Sequence, residues 1–241
     1  MPYQPRTYRD GLKAAGLTQF SVLIKETDLF ITASRNAEAA ARETVLNLRF
    51  KLEHYIDKHP DFLTSLVPLP EEAYAPEIVQ AMLQAATTAG VGPMAAVAGA
   101  VAEHTGREIL KSCDEVIVEN GGDIFLKVNR DVTISIYAGT SPLSNRIGIK
   151  IDGSDIARGI CTSSGTVGPS LSLGTADAVT IISPSATLAD AAATAVGNLV
   201  KDASDIQKGI DRGKLIKDVS GIIIIKDEHM GVWGNVNLIP L

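Results

Sequence analysis

Asp190 and Thr194 stand four residues apart in TLADAAATAVGNLV, a stretch otherwise made mostly of alanine and small aliphatics. On a helix that spacing puts both side chains on one face. A carboxylate and a hydroxyl there offer hard oxygen ligands, of the kind magnesium shares with waters and substrate phosphates. The same stretch also fits a local rule. Thr187 followed three residues later by Asp190 matches a capping box at a helix start, just after Pro184 and Ser185 end the preceding strand. Residue types alone admit both roles, and an Asp in a first turn can serve either.

A second constellation is VIVENGGDIFL, from Val116 to Leu126. The pair Gly121 and Gly122 permits positive φ and a close approach of ligand to backbone, with Asn120 and Asp123 as flanking polar hands. It is equally a hairpin turn with a bulge, since Asn-Gly is a strong hairpin signal. Third is CTSSGTVGPSLSLG, Cys161 to Gly174, with four Ser, two Thr and three Gly in fourteen residues. Backbone N–H groups and hydroxyls in such a loop can cradle phosphate oxygens, and such loops also serve as plain connectors. Cys161 at its entrance is read as a reactive thiol or as a small buried strand residue. The four histidines, His54, His59, His104 and His229, are scattered, and no HExxH, Ser/His/Asp order or Walker A loop occurs.

These residues need elements to hold them. QFSVLIKETDLFITAS alternates on both sides of KETD and predicts a hairpin. Val45, Leu48, Leu52 and Ile56 predict a helix ending before Pro60, followed by a connector over 61–70. Helices are expected from about Pro76 to Ala89 and from about Pro93 to Lys111. Strands are expected in DEVIVENGGDIFLKV, DVTISIYAG, NRIGIKID, DIARGICTSS and DAVTIIS. The TLADAAATAVGNLV helix and a final strand, SGIIIIKDE, then follow. The interleaving predicts an α+β fold with one mixed or largely antiparallel sheet packed against helices. It is expected as a single domain over 1–241, with an N-terminal hairpin plus helices and a C-terminal sheet plus helix as its two parts.

Composition narrows the classes. The chain has 241 residues, 45% of them apolar, and a formal charge of -6, with a pI near 5.2. Without a dense basic block, nucleic acid is not an expected partner. Ile78 to Ala102 carries no charge over 25 positions. Its Ala, Gly, Thr and Gln content and the GVGP turn at Gly90 argue for two close-packed buried helices rather than a membrane span. MPYQPRTYRDGLK lacks the apolar core of a secretory signal, so a cytoplasmic location is expected, with Cys113 and Cys161 as free thiols. GIIIIK, at Gly221 to Lys226, fits either pairing within the sheet or across a dimer.

In order along the chain, GAVAEHTGREIL, VIVENGGDIFL, TSSG and DAVTIISPSATLADAAATAVGNLV resemble the ApbE flavin transferase superfamily. Its members carry a helix before a strand ending in GG[DN], an S-G element, and a helix with D-A-x-A-T. The likeness runs from roughly Gly90 to Val200. ETDL, ENGGDI and SSGTVGPSLSLG extend it over most of the chain to a cytoplasmic ApbE-like family of methanogenic archaea and anaerobic bacteria. The resemblance implies an ApbE-like fold, with FAD or another nucleotide against the glycine turn and magnesium beside its phosphates. It assigns Asp190 and Thr194 as metal ligands. Gly121, Gly122 and Asp123 match the GG[DN] element, and Ser164 and Gly165 match the S-G element. With Asn120, Thr166 and Gly168, these form the expected cofactor-binding set.

Archetypal flavin transferases also carry an H-x-x-[DN]-P-x-T-G segment between S-G and the helix. Here the interval is TVGPSLSLGTAD, without histidine. The leading expectation is therefore a protein that binds a small phosphate-containing ligand with Mg2+. Cys161 or Ser164 is then the nearest group for a transferase-type reaction. By resemblance, the context is sulfur assimilation and homocysteine formation in anaerobes. A non-catalytic binding or accessory protein, working with a partner enzyme or as a homo-oligomer, is the alternative. FAD:protein FMN transfer ranks last.

Overall fold

The computed structural model describes residues 16–167 and 172–241. The chain opens with the expected hairpin, β1 (Thr18–Ile24) and β2 (Thr27–Ala33), turned by Lys25 and Glu26 with Lys25 at φ 52°. Helix α1 (Glu38–Lys58) buries Val45, Leu48 and Leu52 and stops at His59 before Pro60. The connector expected over 61–70 holds a further short helix, α2 (Pro60–Thr64), pinned by buried Phe62. Helix α3 (Glu77–Ala89) ends on Gly90 in the left-handed conformation. A 3-10 turn at Pro93–Ala96 then leads into α4 (Val97–Ile109). Strands β3 (Val116–Asn120), β4 (Asp123–Val128), β5 (Val132–Ser135), β6 (Ile147–Ile151), β7 (Ser154–Ser163) and β8 (Ala178–Ser183) precede α5 (Ala186–Gly197).

Beyond α5 the structure adds elements the periodicity did not reveal: α6 (Ile206–Lys214), β10 (His229–Gly234) and β11 (Leu238–Pro240), around β9 (Gly221–Lys226). The expected one sheet is two. An eight-stranded sheet runs β1-β2-β3-β4-β7-β8-β9-β10, a three-stranded sheet runs β11-β6-β5, and every pairing is antiparallel. GIIIIK lies inside the large sheet, between β8 and β10.

The central strands β3, β4, β8 and β9 of the large sheet are buried on both faces, which is why they read as apolar runs, while β1 and β10 at its edges alternate or lie exposed. Side chains alternate across a strand. Thus Phe125, Ile222 and Ile224 face the helices, while Ile124, Leu126, Ile223 and Ile225 face the small sheet. α5 crosses β7 and β8 and touches α3 and α4. Its alanines make that approach possible, and a Cβ on Gly159 of β7 would overlap the Ala186 backbone. Among the described residues no single helix is long and apolar enough to cross a membrane. The uncharged stretch is two helical segments bent by 103°, as its GVGP turn suggested.

Candidate functional site

The start of α5 departs from the expected capping box. Ser185 is the N-cap, its Oγ accepting from Leu188 N at 3.2 Å. Thr187 instead turns to α4, donating its N–H and Oγ1 hydroxyl to Glu103 Oε2 at 3.0 Å each. Ser185 Oγ donates to the same oxygen at 2.8 Å, and Arg107 holds the other oxygen at 2.7 and 3.0 Å. Burial pushes the Glu103 carboxyl up, but the Thr187 N–H, Arg107 and Ser185 together hold it below the usual carboxylate range.

Asp190 does not cap its own helix. Its Oδ2 accepts from Gly99 N at 2.8 Å, and the neighbouring Ala98 N–H also binds the carboxylate, both in the first turn of α4. A negative charge is favoured at that helix end. Gly99 must be glycine here, because a Cβ would lie 2.8 Å from the Asp190 Cβ and overlap the Ala186 carbonyl. Burial nevertheless raises Asp190 to about 7 against those two hydrogen bonds.

The register between β4 and β7 sets Asp123 opposite Cys161, on the face toward α5. Asp123 is 7% exposed, and its Oδ1 has no hydrogen-bond partner among the described residues. Burial pushes its carboxyl well above the usual range, the charge of Asp190 raises it further, and Glu119 adds to this. Cys161 is fully buried and donates its thiol to Ala186 O at 3.3 Å. Burial, then Asp123 and Asp190, push that thiol well upward, so it stays protonated.

The Gly-Gly turn is a two-residue hairpin loop. Gly121 and Gly122 have φ of 69° and 105°, and the Asn120–Asp123 pair continues the ladder without a bulge at the turn. Positive φ at both positions suits the twist of the flanking strands. Gly122 N donates to Glu119 Oε1 at 2.8 Å, and Asn120 Nδ2 donates to Ala98 O at 3.1 Å. Asn120 and Asp190 therefore hold the same first turn of α4.

The S-G loop is built differently. Ser164 Oγ accepts from Thr166 N at 3.1 Å and Val167 N at 3.0 Å, and Thr166 Oγ1 donates to Asp177 at 3.2 Å. Gly165 N donates to Ala176 O at 2.9 Å, and a Cβ on Gly165 would overlap Gly174. Gly168 lies outside the described residues. Where the loop returns, Gly174 packs on the Gly197 carbonyl and Leu173 N donates to Asn198 Oδ1 at 2.9 Å. The loop thus closes on the end of α5, one turn beyond half-buried Thr194. The Thr194 hydroxyl makes no hydrogen bond among the described residues, while its carbonyl accepts from Asn198 N.

Asp123, Cys161 and Asp190 are brought together, with Asn120 joined to them through α4. Ser164, Gly165 and Thr166 form a separate turn at the far end of α5. Among the described residues no three His, Cys, Asp or Glu side chains are grouped to hold a metal ion. Sequence reasoning missed Glu103 and Gly99. The signal for Glu103 was present, as the first charge after a 25-residue uncharged stretch.

The family model described as AbpE bacteria matches residues 9–218. A UPF0280 protein of Methanococcus maripaludis strain C7 is 42% identical over 224 residues, covering 90% of this chain and 91% of its own. A UPF0280 protein of Methanocaldococcus jannaschii is 40% identical over 221 residues, with coverages of 89% and 90%. Among solved structures, the flavin transferase ApbE from Vibrio cholerae superposes with a TM-score of 0.57 at 12% identity. That match covers 90% of this chain and 96% of that one. The apo form of Pseudomonas stutzeri flavinyl transferase ApbE gives 0.55 at 13% identity, covering 90% and 93%. The expected ApbE-like fold is the one observed.

Proposed function

The chain belongs to the AbpE bacteria family and has the fold of the ApbE flavin transferases, and from that premise we propose that it binds a flavin- or nucleotide-type phosphate ligand together with magnesium beside Asp123, Asp190 and Thr194. Fold alone does not carry a function. The observation that carries this one is the unpartnered Asp123 Oδ1, buried next to a second carboxylate.

A buried acceptor without a donor is costly, and two close carboxyls raise each other's pKa. A divalent cation answers both. Magnesium takes one or two carboxylates from protein and leaves its other positions to water and phosphate, so a pair rather than a cage is a fitting donor set. Asp123 and Asp190 would hold the ion with the free Thr194 hydroxyl beside them. When bound, magnesium neutralises diphosphate charge and orients a leaving group. The chain's own residues do the rest. Gly121 and Gly122 keep the turn open to a ligand, and Asn120 fixes the start of α4 through Ala98. In the S-G turn the Thr166 and Val167 N–H groups are held by Ser164 Oγ, the Gly165 N–H by Ala176 O and the Thr166 hydroxyl by Asp177, so these groups shape the loop itself.

A second reading, a non-catalytic binding or accessory protein, is favoured by two features. The segment from Thr166 to Asp177 has no histidine, and the Cys161 thiol is buried and protonated. In either reading the protein acts in the cytoplasm, in sulfur assimilation leading to homocysteine. That setting is what the sequence resemblance carried by ETDL, ENGGDI and SSGTVGPSLSLG implies.

Native mass spectrometry of protein purified without added cofactor, then titrated with FAD and Mg2+, tests the proposal. Flavin or nucleotide binding that requires magnesium, and that weakens in Asp190→Asn and Thr194→Val while both variants stay folded, is expected. Variants that bind as tightly as the parent, or a parent that binds neither FAD nor adenine nucleotides, would end it. Covalent flavin on an added acceptor protein would exclude the non-catalytic reading.

A further inference from the structure

Strand β10, HMGVWG, ends the large sheet and pairs only with β9. Asp227 and Glu228 form a two-residue turn, so Lys226 and His229 are the bonded pair beside it, and bonding alternates from there. His229, Gly231 and Trp233 therefore spend their backbone groups on β9. Asn235 N continues the series, donating to Ser220 O at 2.8 Å. The N–H and C=O of Met230 and Val232 are left on the open edge, with no partner among the described residues. Edge strands are ordinarily guarded by lysine, proline or a bulge. HMGVWG contains no lysine, proline or acid, and its register with β9 runs unbroken.

This edge is complementary to itself. An antiparallel pairing that sets Met230 opposite Val232 of a second copy lets the two residues exchange both backbone bonds, so all four open groups of each strand are used. Met230 and Val232 are each 40% exposed on one face, and their side chains would meet across the strands. Charge fixes the direction. α6 lies along β10, with Ile206 close on Gly231 and Lys214 over the Trp233 ring at 6.0 Å. At the turn end stand Asp227, Glu228 and Asp202, the last near Lys226. At the other end are Lys214 and Lys217. Glu228 has no ion pair among the described residues. Antiparallel pairing brings the acidic end of each copy onto the basic end of the other, with Glu228 beside Lys214, whereas parallel pairing would set like charges together.

We propose that the protein forms a two-fold dimer through β10, with Met230 opposite Val232 of the second copy and the two large sheets joined into one. A contact of this symmetry closes on itself, and strand addition draws its affinity from main-chain bonds. The interface shares no residue with the proposed flavin and magnesium site and does not depend on it.

Sedimentation velocity over a dilution series tests it. The parent should be a dimer that dissociates on dilution, and the emission of Trp233, the chain's one tryptophan, should change with the same midpoint. Val232→Pro removes an outward N–H, and Met230→Lys supplies the missing guard. Each should raise the dimer Kd by about tenfold or more. Met230→Lys serves if Val232→Pro fails to fold. Glu228→Lys and Lys214→Glu should each weaken the dimer, and the two together should recover part of the loss. A parent that stays monomeric at millimolar concentration, folded Met230→Lys and Val232→Pro variants that dimerise as tightly as the parent, or a double charge reversal no tighter than either single one would overturn the proposal.

Discussion

The Asp190 carboxylate, on α5, receives the backbone N–H of Gly99 at 2.8 Å from the first turn of α4, across 91 residues of sequence. One side chain therefore closes a helix end that is not its own and faces Asp123 as well. Asp190→Ala should lower unfolding stability by about 1 kcal/mol, the usual loss of a helix cap. Asp190→Asn retains an acceptor and should lose less stability, yet should lose magnesium binding as fully. Urea unfolding and magnesium titration of the two variants check this. Equal magnesium affinity in Asp190→Asn and the parent would remove Asp190 from the metal site.

The carboxyl pair gives stability an unusual slope with pH. Asp123 and Asp190 sit above the ordinary value of 3.8, Asp190 at about 7. The native state thus holds more protons than the unfolded chain between these values. The Asp190 contribution is fully present below 3.8 and is lost as pH rises through about 7, and that of Asp123 runs in the same direction. In EDTA, Tm should fall as pH is raised across that window, and Mg2+ should restore it most at the alkaline end. A Tm that rises over the window in EDTA, or a slope unchanged in Asp123→Asn, would contradict the assignment.

Glu103 and Glu115 act in the opposite direction. Both are buried and lie below their ordinary 4.5, so their contribution is present above 4.5 and lost as pH falls through their native values. Glu103→Ala leaves two hydroxyls, the Thr187 N–H and Arg107 without their common acceptor. A loss of about 2–4 kcal/mol is expected, the range for breaking a buried charged network whose Arg is partly solvated. Chemical denaturation measures it. A loss below about 0.5 kcal/mol, the size of an ordinary surface substitution, would show that the network is not structural.

Cys161 and Cys113 are buried, and Cys161 is held protonated. A thiol-specific chromogenic reagent should label neither in the native protein, and both only as fast as the chain unfolds. Rapid stoichiometric labelling of Cys161 under native conditions would return it to the list of reactive groups.

Gly99 should not accept a side chain. Gly99→Ala sets a methyl against Asp190 Cβ and the Ala186 carbonyl. Forcing α4 from α5 should cost about 1–3 kcal/mol or more, the range for overpacking. Thermal unfolding reports it, and a neutral result would mean the two helices separate freely.

Much of the fold is legible in the chain because its causes are local. The Asn-Gly-Gly-Asp turn follows from two residues that tolerate positive φ. The β1–β2 hairpin follows from alternation, and the break between α3 and α4 from GVGP. The later elements were harder to see. α6 carries Gly209 and Gly213 where it packs on Ile224 and Ile222, and glycine weakens a helical pattern. β10 and β11 are edge strands interrupted by Gly and Pro, with much of their surface exposed and hence little alternation.

The candidate site divides along the same line. Composition and spacing determined that a carboxylate, a hydroxyl, a glycine turn and a Ser-Gly loop exist, and in what order. Which atoms meet was decided by tertiary packing. The Thr187 hydroxyl found Glu103 at a separation of 84 residues, Asp190 found Gly99, and Asp123 came to face Cys161 through strand register. A local cap and a distant one use the same side-chain types. Only the close approach of α5 to β7 and α4, permitted by Gly159 and Gly99, selected between them.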